Sequence, residues 1–291
     1  MNKPKLSFWR IWNLSFGFLG VQIGYSLQNS NTSSIFESLG ADVSHLSYFW
    51  LAAPLAGMIV QPIVGLFSDG TWTRWGRRIP YILGGSLIST LALVLMPNCP
   101  KLLAFAPLAM GAFILLFMDL SFNVTMQPFR ALVADMLDDS QKTQGYVVQT
   151  FLINLGAVVG AILPLVMTWL GVSDEAAPEH VSPHIVYSYY AGGAILLLTV
   201  LVTSFKTREY PPGEFARYNN LSDEGGAKPV SFAGLMRNVP GVMVRLGVTQ
   251  FFSWAALFLM WTYLKPAITG VVTDHATGEV LSAGATQTWV G

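Results

Sequence analysis

The chain has 291 residues, of which 53% are hydrophobic and 11% charged, with a mean hydropathy of +0.50. Soluble domains carry about 25% charged residues, and sixteen Lys+Arg here balance sixteen Asp+Glu, so the composition argues against a water-soluble fold and against nucleic acid as a partner. The single cysteine, Cys99, excludes an internal disulfide framework and any Cys-rich metal site, and the apolar content is too high for disorder.

Charges are absent between Arg10 and Glu37, Asp42 and Asp69, Arg78 and Lys101, Lys142 and Asp174, Glu179 and Lys206, and Arg245 and Lys265. A further apolar stretch, Leu102 to Gln127, is broken only by Asp119. Each is long enough for a membrane-crossing helix, which needs roughly 20 apolar residues. Seven spans are expected, at 11–30, 45–68, 79–97, 102–127, 145–170, 184–205 and 246–264. Helices buried in a large soluble protein would need charged outer faces, which are absent. With the N-terminus in the cytoplasm, fourteen basic residues fall in inner segments and only Lys101 and Lys265 in outer ones. That is the positive-inside pattern. The first apolar run is too long for a cleaved leader and lacks a small-residue cleavage site, so it is expected to stay as the first helix.

In the first span, Gln22, Tyr25, Gln28 and Asn29 form a polar stripe at helical spacing. Amides beside a phenol suit a polyhydroxylated ligand, although such amides also join helices by hydrogen bonding. The second span runs into the loop Gly65-x3-Asp69-x4-Arg74-x-Gly76-Arg77-Arg78. Asp69 ends a helix, where the dipole disfavours an anion, so it needs a cationic or N–H partner. The loop arginines are the nearest candidates, and such a latch could close one side of a pathway; the loop also fixes topology. The fourth span carries Asp119, with Asn123, Met126 and Arg130 following on the same helical face. A charged side chain at the bilayer centre costs about 2.5–3.5 kcal/mol on insertion scales. The expectation is a group that exchanges a proton or contacts a sugar; the alternative is a structural carboxylate paired with Arg130 or with another helix. In the fifth span, Gly156 and Gly160 are read mainly as close-packing positions. The four histidines fall at outer loops or helix ends without metal-ligand spacing, and no nucleophile–histidine–acid grouping or phosphate-binding glycine loop is found. Neither metal nor cofactor is expected, and an enzyme is disfavoured.

The expected organisation is a six-helix transmembrane bundle (1–205), a polar cytoplasmic linker (206–240) and the start of a second bundle (241–291). Six helices, a linker and one more read as a two-part transporter cut as an eighth helix begins. No sequence repeat relates helices 1–3 to helices 4–6.

Three runs then carry a resemblance. They are Gly20-Val-Gln-Ile-Gly-Tyr-Ser-Leu-Gln28; the run from Trp50 to Asp69 with Arg74-Trp-Gly-Arg-Arg78; and Asp119-x3-Asn123 with Pro128-x-Arg130-Ala-Leu-Val-Ala-Asp135. In order, across residues 16–136, they resemble the sucrose–proton symporters within the glycoside–pentoside–hexuronide:cation symporters of the major facilitator superfamily. The resemblance implies an all-α membrane fold with a six-helix bundle of inverted three-helix repeats, plus a seventh helix of an incomplete second half. It also implies alternating-access uptake of a disaccharide such as sucrose or maltose, with protons. Asp119 would couple the proton, while Gln22, Tyr25, Gln28, Asn29, Asn123 and Arg130 would contact sugar. Gly65, Asp69, Arg74, Gly76, Arg77, Arg78 and Asp135 would gate the inner side. The partners expected are a sugar, a proton or sodium ion, and the bilayer of a plasma or inner membrane. Departures from the pattern are Gly70, Ile79, Phe122, Met126-Gln127 and the missing helices 8–12. Sodium coupling, or sugar sensing without transport, are the alternatives.

Overall fold

The computed structural model describes residues 3–40, 46–103, 105–174, 181–219 and 239–271, without the side chains of 46–56, 258 and 261–271. His45, His180, His275, most of the expected linker and the segment after the seventh helix lie outside them. The chain forms two compact units, Met1–Glu224 and Gly225–Gly291.

Among the described residues, the first unit holds six long helices: α1 (Phe8–Ser38), α2 (Leu46–Gly70), α3 (Ile79–Leu95), α4 (Pro107–Met136), α5 (Asp139–Trp169) and α6 (Pro183–Lys206). Short turns at Met96–Asn98 and Cys99–Leu102 prolong α3, and a seven-residue helix, Pro212–Tyr218, follows α6. Prolines in the first turn start α3, α4 and α6, where the missing N–H costs nothing. Asp138 caps α5 by accepting the Ser140 amide at 3.2 Å, leaving two residues between α4 and α5. The helices run beyond the expected spans, α1 by eight residues at its far end and α4 down to Met136. Apolarity marks only the slab a helix crosses, whereas backbone hydrogen bonding carries it on into the interface. Among the described residues, four segments are long and apolar enough to cross a membrane by composition alone: Ile79–Leu102, Pro107–Met136, Asp139–Trp169 and Pro183–Lys206. The equally long α1 carries Gln22, Gln28, Asn29 and Asn31, which reduce its hydropathy.

Packing supplies the repeat that the sequence conceals. α1 packs chiefly on α5 and α6, whereas α4 packs on α3 and α2; α1 also touches α4, and α3 touches α6. Exchanging α1–α3 for α4–α6 maps these pairings onto themselves, the pattern of two related three-helix units. The centre is apolar, with Phe18 stacked on Phe129 at 5.4 Å and Leu27, Leu93, Phe122 and Leu196 buried around it.

Small residues set the seams. A Cβ at Gly156 would lie 2.5 Å from the Leu19 carbonyl oxygen, and one at Gly160 2.6 Å from that of Ile23. Both glycines bring the α5 backbone against α1, as close packing requires. Gly20 does the same on α6, where a Cβ would fall 2.7 Å from the Leu196 Cα. The opposite faces are apolar and exposed, for example Leu87, Leu91 and Val94 on α3 and Phe151, Leu155, Val158 and Ile162 on α5. In water these stripes would be a large liability; in a bilayer lipid covers them.

The second unit contributes α7 (Gly241–Val271), in which Thr249 and Ser253 satisfy their hydroxyls on the carbonyls of Arg245 and Thr249, one turn back.

Candidate functional site

Two polar clusters interrupt the apolar bundle. The first joins α1 to α4. Asp119 is 2% exposed and Gln28 fully buried, and the Gln28 Nε2 donates to Asp119 Oδ1. Asp119 Oδ2 and Gln28 Oε1 have no hydrogen-bond partner among the described residues. One turn along α4, Asn123 Nδ2 donates to the Asp119 carbonyl at 2.8 Å, and its Oδ1 accepts from Gln61 Nε2 of α2 at 2.6 Å. Tyr25 meets Phe122 edge-on at 5.7 Å. Gln28 of α1 thus reaches the carboxylate itself, while Asn123 and Gln61 tie the adjacent backbone of α4 to α2. Two buried acceptors stand open there, and what fits them is a donor: a proton on the acid or a hydroxyl of a ligand.

Of the residues expected to touch sugar, Tyr25, Gln28 and Asn123 gather around Asp119. Gln22 is half-buried, with its Cβ beside Gly156 on the α5 seam. Asn29 is exposed on the same helix. Arg130 is exposed and lies eleven residues below Asp119, about 16 Å along a helix. A pair with Arg130 fails on that distance, whereas a partner on another helix is present: Gln28 of α1 reaches the carboxylate. Gln61 was not anticipated, because a lone amide before Pro62 reveals nothing until α2 is set against α4.

The second cluster lies at the opposite, basic end of the same helices. Arg77 Nη2 meets Asp135 Oδ2 at 2.6 Å, and Arg78 Nε meets the same oxygen at 2.9 Å. Arg78 also pairs with Asp69 and reaches Ser68 Oγ at 2.5 Å, while Arg77 stands 3.9 Å from Asp69. The partner required by Asp69 is thus found, and two arginines tie the end of α2 to the end of α4. Gly65 stands on α2 with open space where a Cβ would project. Arg74 is not part of the ion network; its guanidinium lies 6.0 Å above the ring of Trp75.

Residues after α6 complete the cluster. Glu209 Oε1 accepts the amides of Arg78 (2.8 Å) and Ile79 (2.9 Å), and Oε2 accepts that of Arg77 (3.0 Å). A carboxylate over the free N–H groups that start α3 is an external cap. Burial pushes the Glu209 carboxyl above its ordinary range, against the pull of these three donors. Phe215 sits 4.2 Å under the Arg77 guanidinium, with Trp72 at 5.6 Å. The start of the stretch expected to be a linker, Thr207–Asn219, therefore packs on the loop rather than leaving it. No local spacing in the sequence announces Glu209, which acts across 131 residues. Gly76 is now explained: its φ is +117°, and a Cβ there would fall 2.5 Å from Glu209 Oε1.

The N-terminal segment docks on the same end. Gln141 exchanges two hydrogen bonds with the Leu6 backbone, both 2.8 Å, and Lys3 Nζ donates to the Ala134 carbonyl at 3.2 Å. Burial, and then the charge of Lys142, lowers the Lys3 ammonium from its ordinary value.

The family described as MFS/sugar transport protein matches over residues 35–273. The general alpha-glucoside permease of Schizosaccharomyces pombe is 25% identical over 279 residues, covering 90% of this chain and 48% of the permease. Sucrose transport protein SUT5 of Oryza sativa subsp. japonica is 25% identical over 283 residues, covering 86% of this chain and 51% of that protein. Sucrose transport protein SUT1 of the same plant is 37% identical over 133 residues, 40% of this chain and 25% of that protein. The chain spans about half the length of the first two relatives. Its six-helix arrangement, its buried intramembrane acid and the extent of the family match lead to one conclusion: this multi-pass membrane chain belongs to the MFS/sugar transport family.

Proposed function

We propose that this chain is the N-terminal part of a proton-coupled disaccharide symporter that works by alternating access. The observation that carries the reading is the Asp119–Gln28 pair, a buried acid with one donor, one open oxygen and an open amide oxygen beside it. As an anion that carboxylate is poorly solvated; a proton, or a sugar hydroxyl, completes it. Tyr25, Asn123 and Gln61 supply an aromatic edge and two amides around it, the chemistry with which a sugar ring and its hydroxyls are held. Asp69, Arg77, Arg78 and Asp135 join α2 to α4 at the basic end. That position suits a latch that is made in one state and released in the other. The curated relatives are named as sucrose and alpha-glucoside transporters, which supports a disaccharide substrate. The basic end faces the cytoplasm in this reading, following the positive-inside bias.

The test is uptake of labelled sucrose and maltose by the full-length transporter in proteoliposomes under an imposed pH gradient. Accumulation driven by that gradient, and its loss in Asp119→Asn with exchange retained, is the expected result. Uptake driven only by a sodium gradient would move the coupling ion to sodium, and uphill accumulation by Asp119→Asn would remove Asp119 from coupling.

A further inference from the structure

The loop before α3 contains one arginine that the ion network does not use. Arg77 and Arg78 are consumed by Asp69 and Asp135, whereas Arg74 is exposed and makes no ion pair among the described residues. Its position is built. Thr73 and Gly76 exchange backbone hydrogen bonds, both 3.1 Å, and the Thr73 hydroxyl closes the same turn on the Gly76 carbonyl at 2.8 Å. This locked four-residue turn holds Arg74 and Trp75 at its tip. Thr73, Arg74, Trp75, Pro80 and Leu83 border a shallow, wide-open cavity of about 320 Å³ whose lining is almost wholly apolar.

The floor of that cavity continues into hydrocarbon. Leu83 begins a stripe that runs through Leu87, Leu91 and Val94 on the exposed side of α3, and α3 is one of the segments apolar enough to cross a bilayer. An exposed cation, an indole with a polar N–H and a long apolar track thus follow one another from the basic end toward the membrane interior. Tryptophan belongs at the headgroup level, and arginine there attracts phosphate.

We propose that this cavity is a binding site for one anionic glycerophospholipid, its phosphate on Arg74 and Trp75 and an acyl chain laid along Leu83, Leu87 and Leu91. A soluble anion would use the arginine but not the track; a zwitterionic lipid would use the track with a weaker charge term. The site requires the bilayer reading of the chain and is independent of what it transports.

Native mass spectrometry of the full chain, released from neutral-detergent micelles doped with equal amounts of phosphatidylglycerol and phosphatidylcholine, tests the site. One phosphatidylglycerol is retained with a preference of about fivefold, the size expected for one basic residue near the surface. Arg74→Gln abolishes the preference, whereas Lys101→Gln, at the far end of α3, keeps it. Equal retention of the two lipids, or a preference that survives Arg74→Gln, overturns the site. Millimolar inorganic phosphate leaves the adduct in place; displacement by phosphate would mean a small-anion site and refute the lipid. Should Arg74→Gln fail to fold, brominated lipids decide. Brominated phosphatidylglycerol quenches the fluorescence difference between the native chain and Trp75→Phe more than brominated phosphatidylcholine does, and equal quenching refutes the proposal.

Discussion

Glu209 and Arg78 are 131 residues apart in the chain, yet the Glu209 carboxylate accepts the Arg78 amide at 2.8 Å. With the Arg77 and Ile79 amides on the same carboxylate, the segment after α6 holds the first turn of α3 in place. It thereby fixes the backbone from which both arginines of the ion network project. Glu209→Ala leaves three amides without this acceptor, and a buried orphan donor costs about 1–3 kcal/mol. Thermal unfolding in detergent should show a loss of that order, with Glu209→Gln, which keeps one carbonyl, in between. An alanine variant as stable as the native chain would show that water replaces the cap at no cost.

Gly76 meets the same carboxylate from the other side. At φ +117° a side chain is strained, and its Cβ would sit 2.5 Å from Glu209 Oε1. Gly76→Ala should cost about 1–3 kcal/mol in backbone strain alone, with the clash added. Only the clash is relieved when Glu209→Ala is introduced as well, so the double variant is less destabilised than the sum of the singles. Strict additivity would separate the two residues.

Asp135 and Asp69 both face the arginine pair but in different surroundings. The Asp135 side chain is 19% exposed and shared by both arginines, while that of Asp69 is 55% exposed. Removing one partner of a buried pair is strongly destabilising, whereas exposed pairs contribute about 1 kcal/mol or less. Asp135→Asn should therefore lower stability by on the order of 3 kcal/mol, and Asp69→Asn much less. Equal effects in a denaturation series would contradict the burial argument.

Asp138 caps α5, with the Ser140 hydroxyl and amide on its carboxylate at 2.6 and 3.2 Å. The Ser140 hydroxyl, then its amide, holds the Asp138 carboxyl below its ordinary value. A depressed carboxyl stabilises the fold above its unfolded pKa, and that stability is lost as pH falls through the folded one. The melting temperature of the native chain should exceed that of Asp138→Ala at neutral pH, and the gap should close on acidification. A gap independent of pH would assign the effect to something other than the charged cap.

Local chemistry was legible in the sequence because it depends on residues near one another. Charge-free runs marked the helices, Asp119 and Asn123 shared a face by spacing alone, and Asp69 required a cation that the following loop supplied. Gly156 and Gly160, read as packing positions, do bring α5 against α1. Helix ends were not legible: apolarity tracks the hydrocarbon slab, and a helix outlasts it wherever a cap or a partner satisfies its backbone.

The sequence by itself determined that the chain lives in a bilayer, how its helices follow one another, and which carboxyl is stranded among them, since each of these is a property of one segment and its solvent. Tertiary structure alone decided the rest. It chose Gln28 rather than Arg130 as the partner of Asp119, drew Gln61 and Glu209 into the two clusters, and left Arg74 outside the ion network. Hydrogen bonds reach only about 3 Å, so such partnerships form only once packing has brought distant parts of the chain together.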